Sequence, residues 1–290
     1  MTTHVLRSRR PLPGIRGVER QGEFYLRRWH GTAVMGIINA TPDSFSDGGA
    51  FYDAGAAAEH GRRLAAAGAL ILDVGGESTR PGAEPVRVQD EADRVLPVIR
   101  ALAKDTDALI SIDSRKPEVA HEALLAGAHL VNDVTGFRDP EMLRVCGEAG
   151  APVVIMHMQG DPRTMQEDPF YANVVAEVHD YLLEREWQAL KAGVPDVVLD
   201  PGIGFGKTTE HNLELLRSIP QLVAGGRKVM IGASRKGVIA AIAGPSEPEG
   251  RDPGSIAIHL HAAAGSAALV RVHDVAGHVQ ALRVWERLHG

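Results

Sequence analysis

Eight short apolar runs, each followed by a stretch long enough for a helix, predict an α/β protein: a single (β/α)8 TIM barrel over residues 31–290, preceded by a short N-terminal extension, residues 1–30. The runs are AVMGIIN, ALILDV, ALISID, HLVND, PVVIMHM, VVLD, KVMIGAS and ALVRVHD. Two further observations select a closed barrel. The runs are apolar almost throughout, with little polar alternation, which suits parallel strands covered on both faces. Eight β-α units in about 255 residues is barrel length. A doubly wound sheet more often carries Gly-x-Gly-x-x-Gly after its first strand, and none stands there.

Taken in order, the elements begin with the arginine-rich extension, read as a solvated segment leading into one short strand, GEFYLRRW. After the third run, Ser114-Arg115-Lys116-Pro117 opens a helix with Pro117 near its first position, and Gly127 closes it. A longer helix is expected from about Tyr171 to Lys191, ending at Gly193. No linker or low-complexity segment divides the chain, so the barrel is one domain.

The chain has 290 residues, 44% hydrophobic and 23% charged, a globular composition. Lys plus Arg number 31 against 37 Asp plus Glu, a net charge of −6, which argues against nucleic acid or an anionic membrane as the main partner. Cys146 is the single cysteine and forms no internal disulfide, and neither CxxC nor HExxH occurs. No apolar run reaches the roughly 18 residues that span a bilayer, and the opening residues lack a signal-peptide core. The expected location is cytoplasmic.

Active sites of such barrels lie where the strands end. Here the ends read Asn39, Asp73, Asp113, Asn132-Asp133, His157, Asp200, Ser234 with Arg235-Lys236, and Arg271 with His273-Asp274. Any one of these alone fits a capping residue. Eight at one rim predict a polar pocket. Asp113 and Asp200 can each accept two N–H bonds from an amidine-like edge of a heterocycle, Asn132 can donate and accept, and Lys236 offers a cation to a carbonyl oxygen. Arg80, Arg235, Arg271 and His273 form a positive set suited to a phosphate or pyrophosphate. The loops NATPDSFSDGGAFYD and GGESTRPGAEP are long and rich in Gly, Pro and Ser, as lids are. The stretch LDPGIGFGKT resembles a phosphate-binding P-loop, but Pro201 stands where its first glycine belongs and has no N–H to offer.

Together MGIINATPDSFSDGG, LDVGGESTRPGA, ISIDSR, LVNDVTG, VVIMHMQG, LDPGIGFGKT, IGASRKG and VRVHD resemble the dihydropteroate synthases, in that family's order over residues 32 to 285. The resemblance implies condensation of a dihydropterin pyrophosphate with p-aminobenzoate. It places Asp113, Asn132, Asp200, Lys236 and Met156 around the pterin, and Asn39, Arg80, Arg271 and His273 around the pyrophosphate, Asn39 through Mg²⁺. Phe45, Thr79, Pro81, Phe205 and Ser234 fall to the p-aminobenzoate site. Asp113, Asp200, Lys236, Arg271 and His273 would carry the catalysis, and family members commonly pair as homodimers. The sequence departs from the pattern only lightly, with Gly-Ser for Gly-Thr in GRDPGSIAIHLHAAAG and with Asp161 where the family varies. Two rivals remain: a methyltetrahydrofolate-dependent methyltransferase, which needs no pyrophosphate site, and a non-catalytic pterin-binding paralogue, which should show eroded loops.

Overall fold

Three antiparallel strands come first in the computed structural model, which describes residues 2–41, 54–78, 84–161 and 164–289. They are β1 (Thr3–Ser8), β2 (Val18–Gln21) and β3 (Phe24–His30), ordered β1-β3-β2. All eight apolar runs then form strands of one closed parallel barrel: β4 (Ala33–Asn39), β5 (Ile71–Gly75), β6 (Leu109–Asp113), β7 (Leu130–Asp133), β8 (Val153–Met156), β9 (Val197–Asp200), β10 (Lys228–Ile231) and β11 (Leu269–Val272). β11 pairs with β4 and closes the ring.

Among the described residues the helices are α1 (Ala54–Ala66), α2 (Val88–Asp105), α3 (Pro117–Ala126), α4 (Pro140–Ala149), α5 (Val174–Lys191), α6 (Thr209–Arg217), α7 (Ile219–Leu222), α8 (Gly237–Ala243), α9 (Asp252–Ala264) and α10 (Val275–His289). α3 has the expected bounds, with Pro117 in its first turn and Gly127 left-handed at φ +119°. α5 starts three residues later than expected, because the Asn173 side chain accepts from Ala176 N at 3.0 Å and caps it there.

Successive side chains on a strand face opposite ways, so one residue in two looks into the barrel. The outward set, such as Leu72, Ile110, Val131, Ile155 and Val270, packs with Val95, Ile99 and Leu102 of α2 and other helix residues in one continuous core. The inward set begins apolar: Met35, Ile71, Leu109, Leu130, Val154, Val198, Met230 and Leu269 form a floor. Two residues further along several strands, on the same inward face, stand Asp73, Asn132, Asp200 and Arg271. A single step along the barrel axis thus takes its interior from apolar to charged.

Residues 2–30 are more than a solvated lead-in. Leu6, Leu12, Ile15 and Trp29 join the floor cluster, so the small sheet covers the N-terminal opening of the barrel. Trp29 Nε1 donates to Ala268 O at 3.1 Å, and Arg7 N donates to Asp196 Oδ2 at 2.9 Å. The arginines hide the pattern in the sequence: in β1 the buried positions are His4, Leu6 and Ser8, alternating with exposed or half-buried neighbours such as Arg7.

Leu6→Ala should therefore lower stability by about 2–5 kcal/mol, as burial losses of this size do. Urea unfolding measures it, and stability equal to the parent would show that this sheet is not packed on the floor.

Candidate active site

Arg271 sits at the centre of the inner face. From β11 its Nε donates to Asp73 Oδ2 and its Nη2 to Asp113 Oδ2, both at 2.6 Å, and Asn132 Nδ2 donates to the same Asp73 oxygen at 3.0 Å. Burial works against the Arg271 charge, yet Asp73 and Asp113 hold its guanidinium above the ordinary arginine range. Burial pushes the Asp113 carboxyl up; Arg271 pulls against that shift and Asp73 adds to it. Asp73 Oδ1 is buried without a hydrogen-bond partner among the described residues. The layer thus holds acceptor capacity that these residues leave open.

Asp200 and Lys236 extend this layer. Burial raises the Asp200 carboxyl, opposed by Lys236, by the Gly202 N–H that donates to Oδ1 at 2.7 Å, and by Arg271. Burial draws the Lys236 ammonium down to about 8, with Asp200 opposing. Lys236 Nζ donates to Ile203 O and lies 4.3 Å from the centroid of the Phe205 ring, a cation–π contact. Phe205 in turn packs on Val134, Met156, Met158 and Met165, an apolar wall beside the charged layer.

The PGIGFGK loop is shaped by close approach. Gly202, Gly204 and Gly206 all have positive φ, and a Cβ on Gly202 would lie 2.0 Å from His157 O. Lys207 turns inward: its Nζ is 3.0 Å from His157 Nδ1, 3.0 Å from Gly202 O and 2.9 Å from Phe205 O. With His157 O a further acceptor at 3.4 Å, the ammonium is surrounded by its own loop and by His157, so Lys207 fastens that loop and presents no charge to a phosphate. Burial lowers Lys207 to about 7. His157 is pushed down to about 3 by burial and by Lys207, and so stays neutral with Nδ1 bare.

Ser234 and His273 meet across β10 and β11. His273 N donates to Ser234 Oγ at 3.1 Å, and Ser234 Oγ lies 3.0 Å from His273 Nδ1. Asn39 is exposed at the mouth, in register with Gly75. Asp113, Asn132, Met156, Asp200, Phe205, Ser234, Lys236, Arg271 and His273 all gather at the strand C-terminal end. Phe45, Thr79, Arg80 and Pro81 lie outside the described residues.

Three rim residues do other work. Asp133 follows Asn132 and so faces outward, where it accepts from Thr135 N and Phe137 N, each at 2.8 Å. Asp274 caps α10 by accepting from Gly277 N at 3.0 Å. Arg235, expected in the positive set, is held by Asp252 at 2.8 Å through both Nε and Nη2. Asp73 is the converse case, a strand-end carboxylate without an assigned part in the site, which the inward face of β5 brings to Arg271. A half-buried ionic cluster has no signature in the sequence: Lys116 Nζ bridges Glu77 and Glu91, while Arg115 Nη2 reaches Glu77 Oε1 at 2.7 Å. Its members lie too far apart in sequence to signal one another.

Known proteins share this fold. Residues 35–273 match the model of the pterin binding enzyme family, so fold and site define a barrel enzyme of that class. The dihydropteroate synthase of Escherichia coli (strain K12) is 46% identical over 257 residues, covering 87% of this chain and 90% of its own. Xanthomonas albilineans dihydropteroate synthase, solved with 4-aminobenzoic acid, superposes with a TM-score of 0.86 at 47% identity, over 91% of this chain and 96% of that one. The Thermus thermophilus enzyme in complex with 6HMPPP gives 0.79 at 44% identity, over 91% and 97%. This chain belongs to the dihydropteroate synthase family.

Lys207 yields a test with a definite sign. Its proton is bound less tightly in the folded protein than in the unfolded chain, so its contribution to stability should rise from pH about 7 towards 10.5. Lys207→Met should reduce that rise and cost about 1–3 kcal/mol by leaving buried acceptors unmet. Denaturant unfolding across this pH range checks both, and an unchanged pH slope would refute the burial of this charge.

Proposed function

We infer that this chain is a transferase condensing 6-hydroxymethyl-7,8-dihydropterin pyrophosphate with p-aminobenzoate, giving 7,8-dihydropteroate and pyrophosphate in folate biosynthesis. The amine nitrogen forms a C–N bond to the pterin methylene as the C–O bond to pyrophosphate breaks, and the amine releases one proton. The observation that carries this reading is the acceptor-rich layer built on Arg271, with Lys236 at its edge. A planar heterocycle bearing N–H donors and one carbonyl fits it.

In this reading Asp113, Asn132 and Asp200 accept and donate along the pterin edge, Lys236 meets its carbonyl, and Met156 packs beside the ring. Asp113 has one oxygen committed to Arg271 and would use the other. Positive charge developing on the pterin methylene is stabilised by the carboxylates; negative charge on the leaving group is met by Arg271, His273 and Arg80. Ser234 and Phe205 would border the p-aminobenzoate site, with Phe45, Thr79 and Pro81 supplied by the two loops. A neutral aromatic amine is already nucleophilic, so positioning and exclusion of water are the protein's main tasks.

Mg²⁺ is the proposed cofactor. Among the described residues no three His, Cys, Asp or Glu side chains group as a metal cage. That suits an ion carried mainly by substrate phosphates, with Asn39 offering one amide oxygen at the mouth. When bound it would offset charge on the leaving pyrophosphate.

A homodimer in the cytoplasm completes the proposal. Exposed Ile242 on α8 and Val284 and Leu288 on α10 support pairing. Among the described residues no helix is long and apolar enough to cross a membrane.

Purified protein supplied with the pterin pyrophosphate and Mg²⁺ should release pyrophosphate only when p-aminobenzoate is added. Pterin binding without release would replace the enzyme by a non-catalytic pterin-binding paralogue. A second measurement addresses Lys236, which must be charged to serve a carbonyl oxygen. kcat/KM for the pterin substrate should fall as pH rises through about 8, and Lys236→Arg should move that fall to higher pH. An unmoved limb would remove Lys236 from this role.

A further inference from the structure

Behind the Ser234–His273 contact lie two buried histidines that the reaction does not use, His259 on α9 and His278 on α10. Their rings meet at 4.9 Å between centroids, with His259 Nδ1 2.8 Å from His278 Nε2. Each outer nitrogen ends on the backbone of a site loop: Ala233 N donates to His259 Nε2 at 3.2 Å, and His278 Nδ1 lies 2.6 Å from Asp274 O. Ala233 immediately precedes Ser234, and Asp274 immediately follows His273.

One arrangement of protons satisfies this run of contacts. Ala233 N–H can only donate, so His259 Nε2 is bare and Nδ1 carries hydrogen. His259 Nδ1–H then donates to a bare His278 Nε2, leaving His278 Nδ1–H to donate to the Asp274 carbonyl. Both rings are neutral in this chain, and a proton added to either would set one donor against another. Burial lowers both histidines; His278 and Lys236 add to this at His259 while the Ile231 backbone opposes it, and at His278 the backbone and charge of Asp274, the Ser255 backbone and the Asp252 charge oppose it.

α9 holds the same loop at two further points. Ser255 Oγ accepts from Arg235 N at 3.0 Å, and Asp252 binds the Arg235 side chain. Asp252, Ser255 and His259 stand at i, i+3 and i+7, one face of the helix. That face grips residues 233 and 235, on either side of Ser234, through backbone or side chain.

We propose that His259 and His278 are positioning residues, a single hydrogen-bonded relay through which α9 and α10 set the spacing between Ser234 and His273. The proposal rests on Ser234 and His273 belonging to the reaction site.

The test combines kinetics with a spectrum of the unaltered protein. His259→Leu and His278→Leu should each lower kcat per folded molecule by roughly 10- to 100-fold, as small misplacements do. The double variant should be no slower than the worse single one, because the relay is then broken only once. His259→Gln, which can still accept from Ala233 N, should recover part of the loss. In ¹⁵N-histidine spectra of the parent, both residues should appear as neutral Nδ1–H tautomers. Parent-like kcat in folded variants, additive losses, or an Nε2–H tautomer at either position would overturn the relay. If the variants do not fold, the tautomers decide. Ser234→Ala is the control: parent kinetics there would reject the site assignment and not the relay.

Discussion

The guanidinium of Arg271 is held inside the barrel with its side chain 23% exposed, and the polar layer around it is organised by that charge. A buried ion is strongly destabilising unless its partners are close and well aligned. Asp73 and Asp113 meet this condition at 2.6 Å from two different nitrogens of one planar group. They come from neighbouring strands whose register puts Gly75 beside Asp113, so the two carboxylates arrive at different heights and share the fork. Asn132 then binds Asp73 and joins a third strand to the array. Charge balance and geometric precision have the same origin here: removing Arg271 would take the cation from both carboxylates at once.

Around this layer the loops are held by contacts of a different kind. Lys207 gathers carbonyls of its own glycine loop and the ring of His157, while Lys116 draws Glu77 and Glu91 together at the base of the second loop. Neither ammonium faces the mouth as a ligand group. The residues assigned to the candidate site thus sit at or just after strand ends, and a second set of ionisable side chains keeps those ends in place. Such supporting shells decide whether a site is accurate to a fraction of an ångström.

The sequence reveals the barrel because its strands must be apolar on both faces, and all eight runs stand where the pattern puts them. It points to a candidate site because Asp113, Asn132, Asp200 and Arg271 interrupt such runs with groups that cannot be buried idly. It is less informative about direction. Asp133 and Asn132 are adjacent, and only the strand period separates the outward cap from the inward donor. Arg235 and Arg271 look equally suited to an anion, but their distinct partners, Asp252 for one and Asp73 with Asp113 for the other, depend on packing between distant segments. The N-terminal sheet is obscured for a related reason: its short alternation is broken by arginines whose charged ends stay in water while their neighbours pack inward.

That sheet has a consequence for traffic. With Leu6, Leu12, Ile15 and Trp29 seated on the floor, the barrel is a well with a plugged base, and among the described residues its rim is the open end. Two substrates and two products must then share one doorway. Whatever rests on the Arg271 layer lies deepest and is hemmed in by whatever follows it, so depth alone imposes a queue. The heterocycle would have to be seated before the amine, and the condensed product could leave only after the rim had cleared.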